Sequence, residues 1–293
     1  MKIKQLLLIC ITCFIASLFS CQKDFTAPNN SSARPDSAIV VSGDSNYLDK
    51  ILIAEDTLGG FDSTFLIFNY DVLKRLKSVS SQSVSNPIDS GVFLNFLYNS
   101  NDTLPFKIIE GDSLPIVTDY FCYYNNGKLI KDSTYDYSNP ITPYYHVSNY
   151  TYNSTNSIIN NGWNIWYINQ TPTISYRRDT FLLDSRANIV SSRFYSSNNA
   201  TQNYFYVETV NRNYDNMKNP FLKVNSYNIY NFISTRNSPI NNILSENNSS
   251  MIMSNNYNSN FTNSYYSNGF LKKQIRTSTN VPNASFTYFY KSL

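Results

Sequence analysis

Apolar and polar positions alternate in short runs along most of the chain. Phe65-Leu66-Ile67-Phe68-Asn69-Tyr70 is followed by a polar turn and then by Arg75-Leu76-Lys77-Ser78-Val79. The same unit recurs as Phe93 to Tyr98 with Phe106 to Ile109, Tyr120 to Tyr124 with Lys128 to Ile130, and Tyr150 to Tyr152 with Ile158-Ile159. Later copies are Phe181 to Asp184 with Asn188 to Val190, and Tyr265-Tyr266 with Gly269 to Lys272; Phe286 to Tyr290 makes a last strand. The first four tyrosines that close an aromatic run, Tyr70, Tyr98, Tyr124 and Tyr152, stand 28, 26 and 28 residues apart. That spacing holds two strands and two turns, so each repeat predicts one hairpin and its connection. Asn125-Asn126-Gly127 and Ser267-Asn268-Gly269 are the strongest turn signals, because Asn and Gly tolerate positive φ.

Stacked in order, such hairpins form an antiparallel meander whose neighbours bury one continuous core. Both faces of these strands carry large groups: Phe65 and Ile67 on one, Leu66, Phe68 and Tyr70 on the other. A sheet with one wet face alternates more cleanly. The fold expected is therefore all-β: a meander of repeated hairpins forming a curved, partly closed sheet, with at most one or two short helical turns besides the signal-peptide helix. The pattern breaks at Asn213 to Phe221. Ser238-Pro239 supplies an N-cap followed by proline, which places a helical turn there. Residues 245–264, rich in Asn and Ser around Met251-Ile252-Met253, read as a pair of loops.

The first 20 residues differ in kind. Lys2 and Lys4 precede an apolar run from Leu6 to Phe19. Its ~14 residues make a helix of ~21 Å, short of the ~30 Å hydrocarbon core, so the run suits a signal peptide better than a spanning helix. It ends at Leu18-Phe19-Ser20-Cys21, which resembles the bacterial lipobox. The resemblance implies a diacylglycerol thioether on Cys21, cleavage before it, and an acyl chain such as palmitate on the new amino terminus. Two or more chains hold a protein stably on a bilayer. Residues 21–45 then form a lipidated cysteine and a polar tether, too poor in large apolar groups to offset the entropy of ordering. Residues 46–293 form a single all-β domain.

Composition narrows the function. Removing residues 1–20 takes away two lysines and lowers the net charge from +3 to +1, with no basic cluster for nucleic acid. Of four cysteines, Cys10 and Cys13 leave with the signal and Cys21 carries lipid. Only Cys122 remains, so the mature chain forms no internal disulfide; Cys122 reads as a small buried hydrophobe. The 25 Tyr, 19 Phe and 2 Trp suit pleated surfaces, and few blocks favour helix.

Candidate chemistry is sparse. His146 is the one histidine, with no nucleophile elbow near it, and one histidine with one thiol makes no usual zinc site. No catalytic residue, metal or cofactor is expected. A glycosidase would need two carboxylates at a set separation, for which Glu110 with Asp112 or Asp119 is the available combination; solvated turn acids are the plainer reading. Trp163 and Trp166, in Gly162-Trp163-Asn164-Ile165-Trp166-Tyr167, are candidate ligand contacts on opposite faces of one strand.

Tyr70-Asp71-x3-Arg75-Leu76-x2-Val79 resembles a YD-type (RHS-like) repeat. The order of hairpins, then Tyr214-Asp215 to Asn219-Pro220, then Asn241-Asn242-Ile243, then a closing hairpin, is similar to a group of uncharacterised Bacteroidetes lipoproteins. That resemblance covers most of residues 47–293 and implies location and fold, with no catalytic residue. The expected protein is a non-enzymatic binding or scaffolding lipoprotein of the cell envelope, anchored to the outer membrane and facing the periplasm or the cell surface. Its partners are membrane lipid through Cys21 and a glycan or envelope protein. The alternative is a carbohydrate-binding or carbohydrate-active surface lipoprotein. An integral outer-membrane barrel is disfavoured, because the strands read as short and polar groups fall on both faces.

Overall fold

The computed structural model describes residues 46–292, apart from 58–59, 87–89, 112–116, 140, 154–155, 169, 199–202, 218, 222–223, 236–241 and 251–255. The signal peptide, Cys21, the tether and Ser238-Pro239 lie outside the described residues. Eight hairpins follow in order. The first half is β1 (Asn46–Thr57), β2 (Gly60–Tyr70), β3 (Leu76–Ser83), β4 (Ser90–Leu97), β5 (Lys107–Glu110), β6 (Thr118–Asn125), β7 (Lys128–Asp136) and β8 (Tyr144–Asn153). The second is β9 (Ser157–Ile168), β10 (Thr171–Leu183), β11 (Ile189–Ser197), β12 (Phe205–Tyr214), the helix α1 (Asn225–Thr235), β13 (Ile243–Ser250), β14 (Tyr257–Tyr265), β15 (Leu271–Ser278) and β16 (Ala284–Ser292).

Each strand pairs antiparallel with the next, and β16 returns to pair with β1, Ile53 opposite Phe286. The sheet is a closed barrel, where the sequence predicted a partly closed one. Closure removes two long edges that would otherwise present unpaired backbone groups. Residues 245–264 are also corrected. They supply most of β13 and β14, because neighbours on both sides offer ladder partners, Arg212 opposite Glu246 and Ser259 opposite Ser278, and context outweighs the weak strand preference of Asn and Ser.

The helix is longer than the turns expected. Its sequence, NSYNIYNFIST, has little intrinsic helix preference. Burial carries it: Ile229, Tyr230, Phe232 and Ile233 are buried. Tyr230 packs on Tyr120 at 5.6 Å between ring centroids, and Phe232 lies 5.2 Å from Tyr150 and 5.4 Å from Phe181. Just before the helix, Phe221 packs on Phe68 at 6.0 Å. Contacts with β2, β6, β8 and β10 from one segment are met only inside the barrel, so α1 is a plug. Each such ring contributes roughly 1.5–3 kcal/mol.

The repeat has a physical basis at the rim where β1 begins. Near their starts, β1, β3, β7, β11 and β15 each carry an extra residue in the ladder, following Leu48, Leu76, Leu129, Ile189 and Leu271. Such bulges leave backbone groups without ladder partners. A tyrosine at or just past the end of the following strand answers each one. The hydroxyls of Tyr70, Tyr98, Tyr152, Tyr214 and Tyr290 donate to the carbonyls of Leu48, Leu76, Leu129, Ile189 and Leu271 at 2.7–2.8 Å. Tyr124 does the same toward Pro105 at 2.9 Å. In β10 the place is taken by Leu183, without a hydroxyl.

The YD-like motif links one hairpin to the next. Asp71 accepts from the backbone of Leu73 and Arg75 and pairs with the Arg75 guanidinium at 2.7 Å. Arg75 lies over the Tyr98 ring and donates to the carbonyls of Ser100 and Asp102 in the following turn. Asp184 and Arg186 repeat the arrangement, with Arg186 reaching the carbonyl of Asp215 at 3.1 Å.

Candidate functional site

Strand alternation divides the barrel into an inner and an outer face. Inward positions nearest the tyrosine rim are apolar and close on the plug. Toward the opposite rim they become polar. Glu110 accepts from Tyr120 at 2.5 Å, and Asp132 accepts from Tyr150. His146 and Ser148 share a hydrogen bond of 2.7 Å. Asp179 accepts from Asn160 at 3.0 Å and pairs with Arg177 at 2.7 Å. Across the barrel Glu246 binds Arg212 at 2.6 Å and accepts from Tyr257 at 2.6 Å.

Asp179 and Glu246 are held in ion pairs, while Glu110 and Asp132 accept hydrogen bonds from neutral phenols. Burial pushes the Glu110 carboxyl above the usual carboxylate range, opposed by hydrogen bonds from Tyr120 and Tyr230 and reinforced by Asp136. Burial likewise raises the Tyr120 and Tyr257 hydroxyls. It also drives the Cys122 thiol far up, so Cys122 stays a protonated, inward-facing hydrophobe as the sequence suggested. Burial works against the Arg276 guanidinium, bringing its pKa to about 9 despite Glu55 and Glu246.

The carboxylate combination raised by the sequence is not assembled. Glu110 stands opposite Leu94 on the inner face, while Asp119 lies on the outer face and pairs with Lys107 at 2.8 Å. Asp112 lies outside the described residues. Among the described residues, no group of three or more metal-ligating side chains comes together.

The two tryptophans fall on opposite faces as expected. Trp166 belongs to the inner set of β9 but sits near the far rim, 44% exposed. Trp163 belongs to the outer face, where it pairs with Val147 and Tyr176. It ends a row of rings: Tyr137 to Tyr135 at 4.5 Å, Tyr135 to Tyr145 at 5.6 Å, Tyr145 to Trp163 at 5.4 Å. Tyr137 is 39% exposed at the far rim, and the charges of Asp119 and Lys107 act on its hydroxyl in opposite senses. The tyrosines of this row were missed from sequence. Their signal was present, since Tyr135, Tyr145 and Trp163 occupy one face of three successive strands.

The rest of the outer face is different. From β11 to β15 its outward positions include Ser191, Arg193, Thr209, Asn211, Asn213, Ser245, Asn247, Asn258, Asn260, Thr262 and Lys273. A membrane-spanning barrel needs an apolar band around its whole circumference and carries its polar groups within. In this sector the outward positions are polar, while the inward ones are mixed, Phe194, Val210 and Phe261 beside Arg212, Glu246 and Arg276. The strands are longer than the sequence suggested, β9 and β10 running to 12 and 13 residues.

The fold and site define a plugged, sixteen-stranded antiparallel barrel with an apolar end, a polar end inside and an aromatic row outside. No family model matches the chain, and no curated protein matches it. Among solved structures it is similar to a porin-like protein from Bacteroides uniformis, with a TM-score of 0.46 and 10% identity, covering 83% of this chain and 98% of that one.

Proposed function

We propose that this protein is a non-enzymatic binding or scaffolding module of the cell envelope, held to the outer membrane by lipid on Cys21. The observation that carries this reading is the use made of the polar interior. Its carboxylates are consumed in pairs with Tyr120, Tyr150, Arg177 and Arg212, and the plug fills the apolar end, which leaves the outer face and the rims to meet partners. A lipidated chain labels with radioactive palmitate and fractionates with membranes, and Cys21→Ser abolishes both. Hydrolysis of a glycan or peptide by the purified protein, lost on changing one carboxylate, would overturn the non-enzymatic reading.

The row Tyr137-Tyr135-Tyr145-Trp163 favours a second reading, in which the ligand is a carbohydrate. Sugar rings present C–H faces to aromatic surfaces and hydroxyls to flanking polar groups, and Asp119 and Lys107 flank this row. Glycan-array binding that falls with Trp163→Ala and persists with Trp166→Ala is expected; an array without binding eliminates this reading.

A further inference from the structure

We propose that the tyrosine rim is a membrane-docking surface that rests on anionic phospholipid headgroups. The proposal rests on the lipid anchor read at Cys21 for its biological setting, and its test does not depend on that anchor.

Two observations carry it. The first is charge. Every described lysine except Lys107, whose ammonium pairs with Asp119, lies in a turn at this rim or on the half of its strand nearer to it: Lys74, Lys77, Lys128, Lys131, Lys272, Lys273 and Lys291, with Lys50 a little further up the wall. Arg75 and Arg186 join them. Of the carboxylates at this end, Asp71, Asp184 and Asp49 pair with Arg75, Arg186 and Lys291, Asp215 is held by the neutral Asn242, Asn263 and Tyr265, and Asp102 stands exposed in the β4–β5 turn, so the cations outnumber them. The other half of the strands carries Glu55, Glu110, Asp119, Asp136 and Glu208 and no described lysine other than Lys107, and its Arg276 is buried beside Glu55. The barrel is thus polarised along its axis. A basic end of this kind is drawn to an anionic surface, each lysine adding to the attraction.

The second is the place where the chain enters. β1 begins at this rim, so the 24 residues between Cys21 and Asn46 join it there and reach ~80 Å when fully extended. An anchored Cys21 therefore tethers the barrel by this rim, on a segment long enough to let the rim rest on the bilayer.

The side chains at the rim suit a headgroup layer. Val72 and Leu73, at the tip of the β2–β3 turn, are 97% and 51% exposed. Lysines lie over rim tyrosines, Lys128 over Tyr152, Lys272 over Tyr266 and Lys291 over Tyr70, which joins cation and amphipathic ring at one level. Exposed apolar groups occur at the far rim as well, Ile141 at 73% among them, so apolar exposure alone does not choose an end. Charge and chain entry do.

The test uses the chain from residue 21 onward with Cys21→Ser, carrying an environment-sensitive dye on Leu73→Cys or, separately, on Ile141→Cys; Cys122 is buried and escapes labelling. Each protein is mixed with vesicles of phosphatidylglycerol and phosphatidylethanolamine, or of phosphatidylcholine alone, bearing a headgroup quencher. Quenching of the dye at 73 in anionic vesicles is expected, with little in neutral ones and little at 141 in either. Lys272→Glu with Lys273→Glu should weaken the partition about tenfold or more. Equal quenching at both positions, quenching at neither up to millimolar lipid, or indifference to the charge reversal overturns the proposal. Failure of palmitate labelling at Cys21 would remove the anchor and leave this result standing on its own.

Discussion

The hydroxyl of Tyr152, in β8, donates to the carbonyl of Leu129, in β7, at 2.8 Å. Leu129 precedes the residue by which β7 outruns its partner Tyr124, so the ladder gives that carbonyl no ordinary donor. Tyr152→Phe keeps the ring and its packing and removes only the bond. A loss of about 0.5–1.5 kcal/mol is expected, read as a lower urea midpoint with an unchanged slope. A change in slope would show instead that the hairpin opens.

Asp215 should matter more. It closes the two ends of the plug excursion: its backbone N–H donates to Asn242 O, and its carboxylate accepts from Asn242, Asn263, Tyr265 and the N–H of Met217. Asp215→Ala strands several half-buried donors at once, which predicts a cost of about 2–4 kcal/mol. Hydrogen exchange should show the loss first in α1, which spans Asn225–Thr235, and not in β1–β4.

Gly162 sets the approach of β9 to β8. A Cβ built there would stand 2.5 Å from the carbonyl oxygen of Val147, which is backbone and has no rotamer to change. Gly162→Ala is expected to destabilise the barrel by about 1–3 kcal/mol by overpacking. Thermal unfolding should register it, and the neighbouring Asn161→Ala, on an exposed position, serves as the control.

Glu110 gives the stability a pH dependence. Its pKa is raised in the folded barrel, chiefly by burial, so the folded state holds the proton more tightly than the unfolded chain does. Its contribution is complete below the ordinary carboxylate range and disappears as pH rises through the elevated folded value. Glu110→Gln fixes the neutral form. The difference in unfolding midpoint between variant and native protein should therefore be smallest in acid and grow in favour of the variant as pH rises through that window.

Much of the architecture was legible in the sequence because the hairpin signal is local. Tyr70, Tyr98, Tyr124 and Tyr152 announced the repeat, and the structure shows them as the partners of bulged or strand-entry carbonyls. The polar strands were illegible for the opposite reason. Nothing within Asn247-Asn248-Ser249-Ser250 favours a strand; partners 36–42 residues away in β12 impose it. Closure depends on Ile53 meeting Phe286, a contact no periodicity announces. The plug was hidden because its helix owes its existence to rings on four other strands. Of the candidate site, strand parity placed Trp163 and Trp166 on opposite faces correctly. Their surroundings waited on the register that brings Tyr135 and Tyr145 into line.

The pairing of β1 with β16 has a consequence for how the molecule is made. Asn46 and Ser292 are register partners, so the first strand to leave the ribosome is completed by the last. Until Ala284 to Ser292 arrive, β1 keeps one edge open, and contacts of such wide sequence separation are slow to form. Loss of the final strand would remove two seams at once, β15 with β16 and β16 with β1.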